Sequence, residues 1–406
     1  MDDREIVIVS GCRTAITNYG GHFTKIPFHR IGAVVIKEAL KRAGLRPEQL
    51  EYVFFGHVMA DSTSPNVARQ SLLHAGIPIT TPATTIDNQC GSGLEAINHA
   101  ARKIKLKECD IMLGGGVELM SAAPYMHYDI RWGKRAGDTT SVDYFIDLAR
   151  TVSTDIWGSF TMANTSDLLA NRYYITREDQ DAFAHLSNQR ALAAIKAGKF
   201  KKQIVPVKVP QPKGEPITVE RDEHPRDSSL EALGKLPAPF PPALGVEKSM
   251  VTAGNASGIN DAAAAVVVMS REKADELGIK PLVKIKSWGL AGVHPTIMGW
   301  GPVPATEKAL EAAGLTFEDL DLIELNEAFA GQALAVIKHW GYEKYIDRIN
   351  VNGGAIALGH PAGATGVILM IKLISEMLDR DARYGLVTLC CGGGLGVSTI
   401  VERSKP

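Results

Sequence analysis

The chain predicts an α/β fold. Two copies of one βαβα unit, each with a mixed, mainly parallel sheet, stack as a five-layered α/β/α/β/α body with an inserted loop domain. Three observations carry this expectation. First, shifted by 270 positions the chain lands on itself: Ala39-Leu-Lys-Arg-Ala-Gly-Leu45 becomes Ala309-Leu-Glu-Ala-Ala-Gly-Leu315, with five of seven residues identical. Glu48/Glu318, Leu50/Leu320 and Val53/Ile323 stay in step behind it. A unit that occurs twice usually places equivalent positions around a local two-fold axis. Second, short apolar strands alternate with helical stretches in both copies, the pattern of parallel sheets covered by helices. Third, residues 121–250 have a texture unlike either copy.

In the first copy, Ile6–Ser10, Tyr52–Phe55 and Asp110–Leu113 read as strands. Helices are expected at Ile31–Ala43, Val67–Ala75 and Leu94–Ile104. The inserted region holds the loop Arg131-Trp-Gly-Lys134 and a helix opened by Thr176-Arg-Glu-Asp179 with capping-box spacing. The lysine-rich Lys196–Lys213 and the proline-rich Pro237-Ala-Pro-Phe-Pro-Pro242 follow. Loops this long in a compact protein usually serve as lids or binding elements. The chain returns to the first body at Val251-Thr-Ala-Gly-Asn-Ala-Ser-Gly258 and the alanine-rich strand Ala262–Met269. The second copy has strands at Leu282–Ile285, Leu322–Leu325 and Leu386–Leu389, a helix ending at Gly314 and another beginning after His360. The boundaries that follow are 1–120 plus 251–272, 121–250 and 273–406.

Length and composition bound the function. At 406 residues the chain exceeds one ordinary domain, and 45% hydrophobic with 22% charged residues gives ample material for a core. A formal net charge of −1 gives no reason to expect nucleic acid or a membrane surface as partner. Five cysteines without CxxC spacing argue against a disulfide framework or a metal site and for a reducing compartment. The opening Met-Asp-Asp-Arg-Glu runs straight into Ile6–Val9, and no run of 18 apolar residues occurs, so a cytoplasmic soluble protein is expected.

The same 270-residue shift superimposes Cys90 on His360. Cys90 lies in Asn88-Gln-Cys-Gly-Ser-Gly93, just before an amphipathic helical run. There the helix dipole is expected to lower the thiol pKa, although most free cysteines are simply small buried hydrophobes. His360 lies in Gly359-His-Pro-Ala-Gly363, with Pro361 suited to the first helical position. The dipole disfavours imidazolium there, so the ring should stay neutral and able to accept a proton, unless it is merely a packed or capping histidine. Cys390 precedes Cys391-Gly-Gly-Gly-Leu-Gly396 at the end of the last apolar strand, where α/β sheets place their sites. N–H groups of such a loop, Gly392 among them, can bind a developing oxyanion. No Lys-Ser/Thr follows either glycine triplet, so neither makes a P-loop, and a Cys390–Cys391 disulfide would be strained. Asn326 ends the strand Leu322–Leu325, where its amide can hold a water, donate to a carbonyl or cap a helix.

Taken together these segments resemble the thiolase family. The similarity runs through Arg13–Gly21, Asn66–Gln70, the Cys90 loop, Glu118–Tyr125, Val251–Asp261, Asn326–Ala330, Gly359–Pro361 and Cys390–Gly396. The resemblance implies a thiolase-like fold and acyl transfer between a thioester and coenzyme A, which is substrate rather than cofactor. It also implies a homodimer or homotetramer. By resemblance Cys90 takes the acyl group, His360 draws off its proton and Cys390 is the second acid/base. Asn326, through a water, and His360 form one oxyanion site; the N–H groups of Cys90 and Gly392 form the other. Ser257 resembles the family's pantetheine contact and Arg226 its adenine contact. The Lys196–Lys213 cluster either attracts phosphates or is a solvated face.

Departures from the family pattern concern the acyl side. Thr161-Met162-Ala163 stands where many thiolases have His-Met-Gly, preceded by the large aromatics Trp157 and Phe160. Asp87 stands where Asn is usual, and so does His57. These changes favour degradation of a longer, branched or aromatic 3-oxoacyl-CoA, as in β-oxidation or aromatic breakdown, with room for a companion subunit. The alternatives are a biosynthetic acetoacetyl-CoA thiolase, a ketoacyl synthase (which pairs its cysteine with two histidines) and an idle acyl-CoA-binding subunit.

Overall fold

The computed structural model describes residues 4–404 except Thr151, Ser153 and Tyr342, and only the backbone of Glu343. The outermost positions of the expected halves, 1–3 and 405–406, therefore lie outside the described residues.

The repeated heptapeptide ends a helix in each copy. The first, α1 (Phe28–Ala43), buries Ile31, Val35, Ile36, Ala39 and Leu40 along one face and stops at Gly44, in the left-handed region at φ 68°. The first copy's central helix is α2 (Ser92–Lys105). The counterpart of α1, α3 (Pro302–Ala313), opens with proline and stops at Gly314 at φ 66°. The last long helix is α4 (Ala362–Arg380). Glycine takes such a positive φ at no steric cost, so the shared Ala-Gly-Leu is the stop signal of one helix used twice. Behind each stop comes one 3₁₀ turn, Pro47–Gln49 or Phe317–Asp319, and then a strand.

Nine strands form a continuous path: β1 (Ile6–Arg13), β2 (Tyr52–Gly56), β3 (Ala83–Ile86), β4 (Ile111–Leu119), β5 (Asn260–Ser270), β6 (Val283–Gly292), β7 (Leu322–Leu325), β8 (Tyr384–Cys391) and β9 (Leu395–Arg403). Their order is β7-β8-β9-β6-β1-β5-β4-β2-β3, with Thr17–Asn18 as a tenth strand on β5. Read outward from the centre, β1-β5-β4-β2 and β6-β9-β8-β7 are the same sequence of strands. The halves meet at β1 and β6 through two residue pairs, Val7↔Lys284 and Ile8↔Val283. The edge partner of β7 is reduced to the bridge Ile323↔Ile349, where the first copy has β3 beside β2. Helix α4 packs on both β4 and β8 and against α2, whereas α1 covers β1 and β5, and α3 covers β6 and β9. These contacts make five layers, with α2 and α4 in the middle. α4 is buried nearly all round, as a helix between two sheets must be.

The sheet is mixed, but its parallel share is smaller than the sequence suggested. Parallel pairing is confined to β2–β3, β2–β4 and β7–β8. The chain comes back from the insertion as β5, which runs against both β1 and β4. In the second copy Gly393 and Gly394, at φ 82° and 93°, turn β8 directly back into β9. The second return is a glycine turn with no crossover helix, so it cannot be parallel, whereas the first comes back through an insertion that carries helices of its own.

The insertion carries the helix Arg177–Lys196, opened by the expected capping box: Asp179 N–H donates to the Thr176 hydroxyl at 3.1 Å, and Thr176 N–H to the Asp179 carboxylate at 2.9 Å. It is fastened to the first half by Arg13 on β1, whose guanidinium donates to both oxygens of Asp222 at 2.7 and 2.8 Å. Both side chains are fully buried, where a bidentate pair is strong and specific and either partner alone would be costly.

The central helices approach each other on glycine. A Cβ built on Gly93 would lie 2.7 Å from the carbonyl oxygen of Gly363, at the matched position of the other copy. A Cβ on Gly116 of β4 would press into that same carbonyl still more closely. Gly116→Ala is therefore expected to destabilise the fold by about 2–3 kcal/mol. Gly234→Ala, at a site with nothing within 4 Å, should be neutral. Denaturant midpoints of the two variants against the parent check this; equal midpoints would remove the close crossing.

Candidate functional site

Strand β3 delivers Cys90 to the start of α2 through a tight turn. Gln89 N–H donates to the Asp87 carboxylate at 2.9 Å, Asn88 N–H to the Ser92 hydroxyl at 2.8 Å, and that hydroxyl to Gln89 C=O at 2.6 Å. The turn needs Gln89 at φ 49°, an uncommon conformation for a non-glycine residue that the surrounding bonds enforce. Cys90 falls one residue before the cap Gly91, and His360 falls one residue before the cap Pro361. The two-fold relation of the copies thus brings matched helix openings to the two sides of the Gly93–Gly363 crossing.

The Cys90 sulfur is buried and faces the N–H groups of Gly392 and of Cys90 itself. Burial raises its pKa from 9.0 to about 11, against which those N–H groups act. This overturns the expectation of a lowered pKa, because desolvation of a thiolate in this enclosed position outweighs what a helix opening contributes. Cys390, fully buried, has its pKa raised above the ordinary thiol range by desolvation and by its neighbour Cys90. Cys391, next along β8, packs instead under Gly91, whose built Cβ would stand 2.6 Å from its sulfur. All five cysteines are free, so the strained vicinal disulfide does not form.

His360 is 7% exposed, and burial lowers its pKa from 6.5 to about 4, while the charge of Glu118 acts the other way. The ring is neutral, as expected, for reasons of desolvation more than of dipole. Its Nδ1 lies 2.7 Å from the Thr365 hydroxyl, and its backbone N–H donates to the Asn260 side chain at 3.1 Å. Its Nε2 is buried with no hydrogen-bond partner among the described residues. Asn326 is the same: fully buried, with neither amide atom partnered among the described residues. Its N–H donates to Thr388 C=O at 2.9 Å, which sets it beside the end of β8, two residues short of Cys390. Buried polar atoms are nearly always partnered, so each one left free calls for an explanation, of which a water or substrate atom is one.

The residues expected on the substrate side divide. Ser257 N–H donates to Ala328 C=O at 3.0 Å, which ties it to the Asn326 loop. The segment 222–226 comes alongside, since His224 stands against Gly258, and Arg226 sits in it. Thr161 opens the helix Met162–Arg172, which packs on Pro295–Trp300. That stretch is clamped to the glycine loop by Val293 N–H on Gly394 C=O at 2.7 Å. Trp157 meets His294 edge to face, ring centres 4.9 Å apart. Of the lysine cluster, Lys199 pairs with Glu376 and Asp379, while Lys196, Lys201, Lys202, Lys208 and Lys213 stand in solvent. Surface cavities of about 280 Å³ at Lys280–Leu282 and about 460 Å³ between Lys25–Val34 and Val207–Pro212 hold none of the predicted site residues. Cys90, His360, Asn326 and Cys390 are all buried.

Glu118 went unremarked as a single residue in the sequence. Fully buried at the end of β4, its carboxylate accepts from Val58 N–H at 2.9 Å, Met59 N–H at 3.0 Å and Gly363 N–H at 2.9 Å. His57 lies 3.0 Å from it; burial alone would lower the His57 pKa, and the Glu118 charge and hydrogen bond reverse that into a rise. An acid inside the apolar run of β4 was the available signal. Among the described residues no group of three or more His, Cys, Asp or Glu side chains is set to hold a metal ion, and no helix is long and apolar enough to cross a membrane.

A cysteine among backbone donors with a second thiol beside it, and a neutral buried imidazole at the matched helix opening, are the groups that acyl transfer needs, and the class is an acyltransferase. Family models agree. The thiolase N-terminal domain matches residues 6–272 and the thiolase C-terminal domain residues 279–403. The chain is 50% identical to an acetyl-CoA acetyltransferase of Chromobacterium violaceum over 98% of this chain and 100% of that one. It is 46% identical to the beta-ketothiolase BktB of Cupriavidus necator, over 98% and 99%. The solved Bacillus anthracis acetyl-CoA acetyltransferase superimposes with a TM-score of 0.94 at 39% identity, and human mitochondrial 3-ketoacyl-CoA thiolase with 0.92 at 37%, each covering 99% of both chains. The chain belongs to the thiolase family.

A thiol pKa near 11 has a visible consequence. Its thiolate fraction at pH 8 is about 10⁻³ and climbs tenfold per pH unit. Alkylation of Cys90 by iodoacetamide, followed by peptide mass spectrometry, should rise through pH 7 to 9 without levelling. A plateau below pH 8 would mean a low-pKa thiolate after all.

Proposed function

We propose that the protein cleaves a 3-oxoacyl-CoA with coenzyme A, giving acetyl-CoA or another short product and a shortened acyl-CoA, through an acyl-enzyme on Cys90. The carrying observation is the Cys90 sulfur facing Gly392 N–H, with His360 Nε2 and the Asn326 amide buried and unpartnered among the described residues. Both reacting groups rest neutral, so the proton moves as the carbon–sulfur bond forms. His360 takes it while Cys90 attacks the 3-oxo carbon, and the N–H groups of Cys90 and Gly392 receive the oxyanion. A donor of that kind is worth about 10²–10³ in rate. The Cα–Cβ bond breaks, Cys390 protonates the departing acetyl-CoA carbanion, and Asn326, through a water, and His360 hold its enolate oxygen. Cys390 then takes the proton of the incoming CoA thiol, which attacks the acyl group; the released Cys90 recovers its proton from His360. Splitting one hard step into two easier ones is the benefit of the covalent intermediate.

Ser257 and Arg226 line the path proposed for the pantetheine and adenine ends of CoA; the exposed lysines add general attraction for its phosphates. Thr161, Met162 and Trp157 stand on the acyl side. An aromatic pair, Trp157 on His294, in a segment clamped to the glycine loop supports a bulky, branched or aromatic chain, as in fatty acid or aromatic degradation. The second reading is condensation of two acetyl-CoA molecules, favoured by relatives named acetyl-CoA acetyltransferase. The same residues serve both directions, since the equilibrium belongs to the reaction. We place the enzyme in the cytoplasm as a homodimer or homotetramer, able to take a companion subunit; its free cysteines fit a reducing compartment.

Intact-protein mass after mixing with acyl-CoA should increase by one acyl group, and Cys90→Ser should abolish the increase. Steady-state kinetics then rank substrates: kcat/KM for bulky 3-oxoacyl-CoA should match or exceed that for acetoacetyl-CoA. A strong preference for acetoacetyl-CoA would return the short-chain reading to first place.

A further inference from the structure

We infer that Thr365 sets the tautomer of His360 and so fixes which ring nitrogen serves as the base. The Thr365 hydroxyl is buried on the first turn of α4, 2.7 Å from His360 Nδ1 and 3.0 Å from Pro361 C=O. A hydroxyl has one proton, and a carbonyl oxygen can only accept. Both contacts are hydrogen bonds in one arrangement alone: O–H donates to Pro361 C=O, and Nδ1–H donates to the hydroxyl oxygen. With the proton on Nε2 instead, the hydroxyl would turn to the ring. The 3.0 Å contact would then be two oxygens with no proton between them, and a buried Nε2–H would be left without an acceptor among the described residues. Each of those faults costs free energy in an enclosed site. The neutral ring therefore carries its proton on Nδ1 and turns the lone pair of Nε2 to the side where no protein group meets it. When the ring takes a second proton, the charge is shared toward an oxygen already oriented to accept.

Thr365 is a positioning residue: its hydroxyl bonds the ring and the Pro361 carbonyl, and it acts through the imidazole. Its place in the helix explains how. Thr365 stands four residues after Pro361, one turn up the same face, and its backbone N–H also donates to Pro361 C=O at 3.0 Å. The cap and the ring are thereby held by one short loop of bonds, with the His360 N–H anchored separately on Asn260.

This rests on the reading of His360 as the base of Cys90 acylation, and the test separates the two. Thr365→Val keeps the shape and removes the hydroxyl; Thr365→Ser keeps the hydroxyl; Thr365→Ala removes it without adding a contact. Single-turnover acylation of Cys90 by acetyl-CoA, read by intact mass in the full-length protein, should slow about 10- to 100-fold in the valine and alanine variants. The acetyl-CoA concentration giving half-maximal rate should stay within about twofold, and the serine variant should acylate within a few-fold of the parent. Parental rates in both the valine and alanine variants would overturn the inference. So would a serine variant as slow as valine, which would make the effect one of packing. A parent protein that no acyl-CoA acylates would overturn the functional reading itself, and this inference with it.

Discussion

The carboxylate of Glu118 is the constraint on which the arrangement turns. One oxygen accepts N–H bonds from Val58, in the first half, and from Gly363, at the head of the second half's central helix. Because it closes a bond between copies, the His360 helix is held relative to β4 by a directional contact as well as by packing. The glycines supply the other part of the constraint. Gly93, Gly116 and Gly363 let backbone meet backbone where any Cβ would hold the layers apart. Hydrophobic burial alone would tolerate a slide of one helix along the other; a hydrogen-bonded glycine crossing does not.

Enclosure follows from that closeness and sets the chemistry. Cys90, Cys390 and His360 are all buried, and in each the dominant effect on the pKa is loss of water: thiols go up, the imidazole goes down. All three are pushed toward neutrality. A resting thiolate–imidazolium pair is thus disfavoured, and charge appears only as reaction proceeds, in front of donors already in place. Fixed donors such as the N–H groups of Cys90 and Gly392 need no reorganisation at that moment, which is where such sites gain most.

What the sequence disclosed and what it hid have physical reasons. The duplication was legible because helix stops, 3₁₀ turns and strand starts are local. Gly44 and Gly314 share a backbone conformation that their neighbours cannot adopt cheaply, so the repeat survives in the residues themselves. Cys90 and His360 were legible as a pair for the same reason. Strand direction was less so: β5 and β9 carry ordinary apolar patterns, and their direction goes with the connection before each, a long insertion for β5 and a glycine turn for β9, a property of connections. The direction of the Cys90 pKa was misjudged because a helix opening can be read from Gly-Ser-Gly, whereas burial depends on the other half of the molecule. Glu118 and Thr365 sat in plain view as an acid in an apolar strand and a hydroxyl one turn past a proline. Their partners lie across space, or on a ring nitrogen whose orientation no linear pattern encodes.

The division of labour between core and insertion follows from where rigidity is available. The groups proposed to react stand at strand and helix ends of the duplicated core, each fixed by backbone bonds. The positions proposed to meet the acyl chain stand on the insertion and on Pro295–Trp300, joined to the core by the glycine loop on one side and by Arg13–Asp222 on the other. A change at Trp157 or Thr161 can therefore alter the wall without moving Cys90, because no backbone bond to the nucleophile's turn passes through either residue. By contrast, the Asp222 carboxylate also accepts from Ile16 N–H, at 2.9 Å, so it ties the insertion to the chain that leads into Thr17–Asn18 and thence to β5. Substrate range can drift at the first kind of position at little cost to the chemistry, whereas the second kind must hold for the halves and the insertion to act as one body.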